Sequence, residues 1–243
     1  ADGENSTALG FNVVASGNNS LVIGGWFDAD GDGTYARDVD LDGDGINDLD
    51  SEMTYALGTG AVAVGNGVHV SGVLASAFGI GSSASGGNAL AIGNGVRATA
   101  LNATAVGVQS SATTENSVAS GFASGSYGNG SVAVGNTSSA YGDYSNAMGT
   151  GNSTDIGAYN SNAMGSGNSA EAGNASALGT GNHATGESSS AVGLLNVAGG
   201  DNSNALGSNN RTWDSFSNAI GDNNSTEGAH SNAIGSSNST SGE

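Results

Sequence analysis

Ala, a larger apolar residue and Gly follow one another at fixed intervals along most of this chain. The triplet recurs as Ala63-Val64-Gly65, Ala77-Phe78-Gly79, Ala91-Ile92-Gly93, Ala105-Val106-Gly107, Ala133-Val134-Gly135 and Ala147-Met148-Gly149, every start falling on a 14-residue grid. Ala119-Ser120-Gly121 keeps the grid and loses the large apolar residue. After a step of 16 residues, with two extra residues in "TGNSTDIGAYNSN", the grid resumes at Ala163 and continues through Ala177, Ala191, Ala205, Ala219 and Ala233. Ala8-Leu9-Gly10 and Val22-Ile23-Gly24 extend it towards the N-terminus. Seven residues after the triplet a second small-residue column appears, filled by Ala84, Ala98, Ala112, Ala140, Ala170, Ala184 and Ala198, and by Thr154, Thr212, Thr226 and Thr240.

Self-similarity of this kind is the mark of a solenoid. A unit of 14 residues is too short for a pair of helices and too regular for a loop. It accommodates two short strands and two tight turns, with Gly and Asn supplying the turns because both tolerate positive φ. Side chains alternate across a strand, so in "SNAMG" Ala faces one side and Met the other. The spacing therefore predicts a narrow interior lined by Ala and Thr. The Val/Ile/Leu/Met column faces outward, and an apolar stripe of that extent signals an interface.

The repeat also decides how the composition is read. Gly supplies 44 of the 243 residues, a share that without periodicity indicates disorder. Cys is absent, which removes disulfides, thiol catalysis and thiolate metal sites. Lys is absent too, and Arg37, Arg97 and Arg211 are the whole basic complement. A net charge of −19 argues against nucleic acid or an anionic membrane as a partner and accords with an extracellular setting. No run of about 18 apolar residues is present to span a membrane as a helix. The acidic opening "ADGENS" is unlike a signal peptide and suits a mature N-terminus.

The grid has one long interruption, the 41 residues from Val22 to Ala63. Ten of the 22 acids lie there, between Asp28 and Glu52. Counted from Asp40, the residues Asp42, Asp44, Gly45, Ile46 and Asp48 follow the 1-3-5-6-7-9 spacing of oxygen-ligand calcium loops, in which Gly makes the sharp turn and position 7 offers its carbonyl. Position 12 is Ser51, leaving Asp50 or Glu52 as the closing carboxylate. A second frame starts at Asp28 with Asp30, Asp32, Gly33 and Thr34; Ala36 stands at its ninth position, and Asp38 or Asp40 could close it. The expectation is an inserted Ca²⁺-binding loop at 28–52, held by Asp28, Asp30, Asp32, Asp38, Asp40, Asp42, Asp44, Asp48 and Asp50. It lies between β-roll coils at 1–27 and the main array at 53–243. "DLDGDGINDLD" resembles the Asp-rich calcium loops of thrombospondin type-3 repeats and dockerins. A glycosidase-like carboxylate pair would need a cleft that a narrow roll lacks, so no enzymatic activity is expected.

The segments "SNAMGTGNST", "SNAMGSGNSAEAG", "SALGTGNHATGESSSAVG" and "SNAIGDNNSTEGAHSNAIG" resemble the head repeats of trimeric autotransporter adhesins, the YadA-like family. The resemblance covers most of residues 5–27 and 54–243. It implies an all-β, left-handed parallel β-roll, a β-solenoid here of about 15 coils, in a side-by-side homotrimer with an extracellular role in attachment. At ~4.8 Å per coil the array would be a rod of roughly 70 Å. The family's neck, heptad stalk and membrane anchor are not found in this sequence. The array starts and stops inside a repeat, as an excised head would, or as a subunit stacking head to tail into an extracellular filament would. No receptor is legible.

Trp26, Phe27 and Tyr35 flank the first calcium frame and read as a small satellite core. His69, His183 and His230 share no ligand spacing and are expected at exposed turns. Trp213 and Phe216 replace the usual turn residues in "NNRTWDSFSN" and are expected to project outward. Eleven Asn-x-Ser/Thr sequons, among them Asn5, Asn102, Asn152 and Asn238, are offered for glycosylation. An ice-binding surface would carry a regular Thr-x-Thr ladder, and the outer rows here are mixed Ser, Asn, Gly and Asp.

Overall fold

The computed structural model describes residues 1–26 and 52–241, and among them there is no helix. The chain divides into two compact units, Ala1–Asn116 and Ser117–Glu243. Both are built from the same coil: a long strand of about five residues, a turn, a short strand of two or three, and a second turn. Among the described residues the first unit contains six long and six short strands, the second nine of each. The whole is a parallel β-solenoid of about 15 coils.

The pairing register reproduces the grid. In the first unit Ala63 pairs with Ala77 and Ala77 with Ala91. In the second Ala177 pairs with Ala191 and Ala191 with Ala205. Short strands stack the same way, Ala84 on Ala98 and Ala170 on Ala184. The 16-residue step is absorbed in the turn between Ser153–Thr154 and Asn162–Ser166, and Met148 still pairs with Met164. The 41-residue step is also crossed in register. Leu21 pairs with Val62 and Val13 with Thr54, and the Thr54 hydroxyl donates to the Gly25 carbonyl at 2.7 Å. The Asp-rich segment at 28–51 lies outside the described residues, as do Phe27 and Tyr35.

Four columns fill each coil's interior. One is the triplet Ala and one the Ala/Thr column of the short strands, both buried. The third stands at the entry to the long strand: Ala61, Ala75, Ala89 and Ala103 in the first unit, and chiefly Ser in the second, such as Ser131, Ser145 and Ser203. The fourth overturns part of the sequence reading. Asn was assigned to turns, and many Asn residues do occupy left-handed turn positions, among them Asn102 (φ 56°) and Asn202 (φ 54°). Asn152, Asn168, Asn182, Asn196, Asn210 and Asn224 are instead buried inside the second unit. Each amide donates to the carbonyl four residues back and to a Gly carbonyl on the next coil. Its oxygen accepts the backbone N–H and side-chain N–H of the next Asn, as between Asn182 and Asn196 at 3.0 Å each. In the first unit the same column holds Thr54, Val68, Ser82 and Val96, and the Ser82 hydroxyl caps Gly93 O at 2.7 Å. An Ala-lined interior buries little apolar area per residue. The hydrogen-bonded ladder satisfies the backbone there and joins coil to coil.

The third place of the triplet must be Gly for two reasons. Gly193 has φ of +121°, and a Cβ built on it would lie 2.0 Å from the Gly207 carbonyl oxygen of the next coil. A side chain at that position meets backbone, which cannot move away.

Candidate interaction surface

The alternation that buries Ala drives its larger neighbour outward. On the long-strand face of the first unit, Ile23, Phe78 and Ile92 stand exposed in one column, with Val64 between Ile23 and Phe78 and Val106 after Ile92 partly covered. Two residues further along the strands Ile80 and Val108 are exposed as well, alternating in register with Asn66 and Asn94. In the second unit the column runs Val134, Met148, Met164, Leu178, Val192, Leu206, Ile220 and Ile234, with Met148 at 37% and Ile220 at 38% exposure. Its flank is polar and ordered: Asn146 donates to Asn162 at 2.9 Å, Asn204 to Asn218 at 2.8 Å and Asn218 to Asn232 at 2.7 Å. This is a flat, regular apolar surface of side chains already held in place by their sheet. Such a face is suited to desolvation against another protein surface.

The turn that follows each short strand carries different chemistry. In the second unit it presents Tyr127, Tyr141, Tyr144, Ile156, Tyr159, Trp213 and Phe216, all exposed. Tyr127 stacks on Tyr141 and Phe216 on His230, each pair one coil apart. Tyr159 donates to Glu187 Oε1 at 2.9 Å; that bond, and then the carboxylate's charge, hold its phenol above the ordinary tyrosine range. Burial, followed by the neighbouring Tyr141, raises Tyr127 likewise. Asp143 and Asp201 accept the backbone N–H of Asn129 and Glu187 on the preceding coil, at 2.7 and 2.9 Å.

A family model described as YadA head domain repeat matches residues 1–25, 71–95, 98–124, 126–152 and 184–210, more than half of the chain. The chain belongs to the YadA head family. No curated protein matches it. The family's head repeats are structural modules of adhesins, and the resemblance read from "SNAMG" and its relatives is thereby established. No helix among the described residues is long and apolar enough to cross a membrane.

In this YadA-type head the sequence-derived site residues fare differently. The expected calcium ligands Asp28, Asp30, Asp32, Asp38, Asp40, Asp42, Asp44, Asp48 and Asp50 lie outside the described residues, within which no cluster of three or more acids and histidines is disposed to hold a metal ion. The outward column is where alternation placed it. Trp213 and Phe216 project outward as expected, at 53% and 52% exposure. Of the histidines, His230 is in a turn, whereas His69 and His183 sit on short strands, His69 stacked on Tyr55 and His183 Nδ1 3.5 Å from Glu171. A short strand's first residue points out of the coil, which is why those two positions tolerate an imidazole. Among the sequons, Asn152 is corrected outright: its amide is buried in the Asn ladder, and no glycan can attach there. Asn210 and Asn224 are buried in the same way. The Asn ladder and the tyrosine stack were both missed. A signal for the ladder existed, since one column holds Asn alone from Asn152 to Asn238 while neighbouring turn columns vary.

Proposed function

We propose that this YadA-type head is the attachment module of an extracellular surface adhesin, acting as a side-by-side homotrimer and stiffened by Ca²⁺ in its Asp-rich segment. The exposed apolar column carries the reading. A row of Val, Ile, Leu and Met repeated at one position on successive coils is apolar surface that a partner would cover. A second and third copy of the same roll offer the same row at the same spacing. Covering one such side chain contributes on the order of 1 kcal/mol, and repetition along the coils offsets the entropy of association. The acidity of the surface disfavours nucleic acid and anionic membranes as targets.

Sedimentation velocity tests the assembly. The native chain is expected as a discrete trimer, and replacing Ile92, Met148 and Ile220 by Glu is expected to give monomers. A native monomer would refute the trimer; calcium-promoted polymers would replace it with head-to-tail filaments. For attachment, the trimer should hold to immobilised matrix or cells while the triple-Glu monomer loses avidity. For calcium, chelation should lower thermal stability and the combined change of Asp40, Asp42 and Asp44 to Asn should abolish that response. Indifference to chelation would refute the calcium site and leave the adhesin reading untouched.

A further inference from the structure

Tyr127 and Tyr141 occupy one position on successive coils of the second unit. Each directly follows a short strand, Gly125–Ser126 and Ser139–Ala140, and these strands pair Gly125 with Ser139. The two ring centroids are 4.9 Å apart with planes inclined by 18°. The sequence makes room for this at one residue. Where Gly125 stands, the coils after it carry Ser139, Ser153 and Ser169. A Cβ on Gly125 would lie 2.3 to 2.5 Å from the edge and hydroxyl of Tyr127, so the ring lies over the bare glycine and under Tyr141. Both tyrosines keep more than a third of their surface open to solvent, at 38% and 39%.

We propose that Tyr127 and Tyr141 are an oxidative cross-linking site, joining neighbouring coils by a carbon–carbon bond between their rings. The co-reactant is hydrogen peroxide acting through a haem peroxidase. Each phenol gives up one electron and one proton, and one peroxide takes both pairs and becomes two waters. The unpaired electron of each phenoxyl spreads to the carbons ortho to oxygen. Two ortho carbons combine, forming one C–C bond, and each then passes its hydrogen as a proton to the phenol oxygen, restoring both rings. The product is a biphenol lacking two hydrogens relative to the pair. Stacking at 4.9 Å brings the ortho carbons together by small side-chain rotations and makes coupling within the chain faster than encounter between chains. With no Cys in the chain, a tyrosine bridge supplies a covalent tie that a disulfide would give elsewhere, closing a loop of one coil.

The neighbouring acids provide the assay. Cleavage after Glu115 and Asp143 releases residues 116–143, which contain Tyr127 and Tyr141 and no other tyrosine. After treatment of the native protein with peroxidase and peroxide, this peptide is expected to lack two hydrogens. It should yield no backbone fragments between the two tyrosines and show biphenol fluorescence. Tyr127→Phe and Tyr141→Phe should each abolish the product, and Tyr144→Phe should leave it unchanged. Gly125→Ser keeps both phenols but displaces the Tyr127 ring, and its yield should fall although its circular dichroism matches the native protein. An unmodified peptide while other tyrosines couple, or undiminished coupling in Gly125→Ser, would overturn the proposal.

Discussion

Replacing Asn182 by Ala removes one rung from the buried ladder of the second unit. The lost side chain donates to Leu178 O at 2.9 Å, Gly193 O at 2.8 Å and Asn168 Oδ1 at 3.0 Å, and accepts from Asn196 N and Nδ2 at 3.0 Å each. Two carbonyls and one backbone N–H on two coils then lose a partner in a place water does not reach. At about 1–3 kcal/mol for each buried group left unmade, tempered by partial relaxation, the loss is about 3–5 kcal/mol. For a chain of this size that lowers the melting temperature by roughly 10 °C. Asn182→Ser should recover about half, because a Ser hydroxyl in this column reaches the next coil's glycine, as Ser138 does to Gly149 at 3.1 Å. Urea unfolding followed by circular dichroism gives the magnitude, and amide exchange locates it. In a solenoid the disturbance is confined to adjoining coils, so protection should drop at Asn196 and persist far from it. An Ala variant within about 0.5 kcal/mol of the native protein, the ordinary range for surface changes, would refute the structural weight given to the ladder.

Two glycine substitutions should part company in the same unfolding assay. Gly193→Ala forces a Cβ to within 2.0 Å of Gly207 O and should prevent stable coil stacking, whereas Gly151→Ala, with φ of +61° and open space around it, should cost only about 1–2 kcal/mol. The Tyr159–Glu187 bond favours the neutral phenol, so the folded group titrates above its unfolded value. Its stabilisation is present below the ordinary tyrosine range and is lost as pH rises through the raised value. In a pH titration by ultraviolet absorbance, Glu187→Gln should move the Tyr159 transition down, and an unmoved curve would show the bond to be absent in solution. Leu195 takes a left-handed turn position with φ of 54° that Gly151, Gly167 and Gly181 hold on the coils before it. Leu195→Gly should therefore stabilise the turn or leave it unchanged within about 1 kcal/mol, and a large loss in thermal melts would count against strain there.

The coil, its register and its outward apolar column were legible because each follows from a constraint local to the strand. Alternation sends Ala63 and Val64 to opposite faces whatever else the chain does, and a 14-residue period fixes which residues stack. The interior polar column was not legible by that route. Asn152 and Asn202 have the same side chain in similar surroundings of Gly and Ser, yet one is buried and the other turns the chain with φ of 54°. Local propensity assigns both to turns. What separates them is the partner fourteen or sixteen residues on, a contact made only after the coils have stacked.

The same distinction separates the parts of the surface. A position that recurs with one residue type is held by its neighbours along the axis, as the Asn ladder and the triplet Gly are. A position that varies from coil to coil is free to face something else. The turn after the short strand carries Leu57, Ser85 and Thr99 in the first unit and Tyr127, Tyr141, Glu171 and Trp213 in the second, with no packing demand common to them. Its one shared requirement is met by the backbone, which continues the ladder through Leu57 N to Val70 O and Tyr127 N to Ala140 O alike. Chemistry can therefore be changed along this edge one coil at a time, at little cost to the roll. The aromatic and acidic residues gathered there on the second unit belong to the class of surface that a repeat scaffold is best able to diversify.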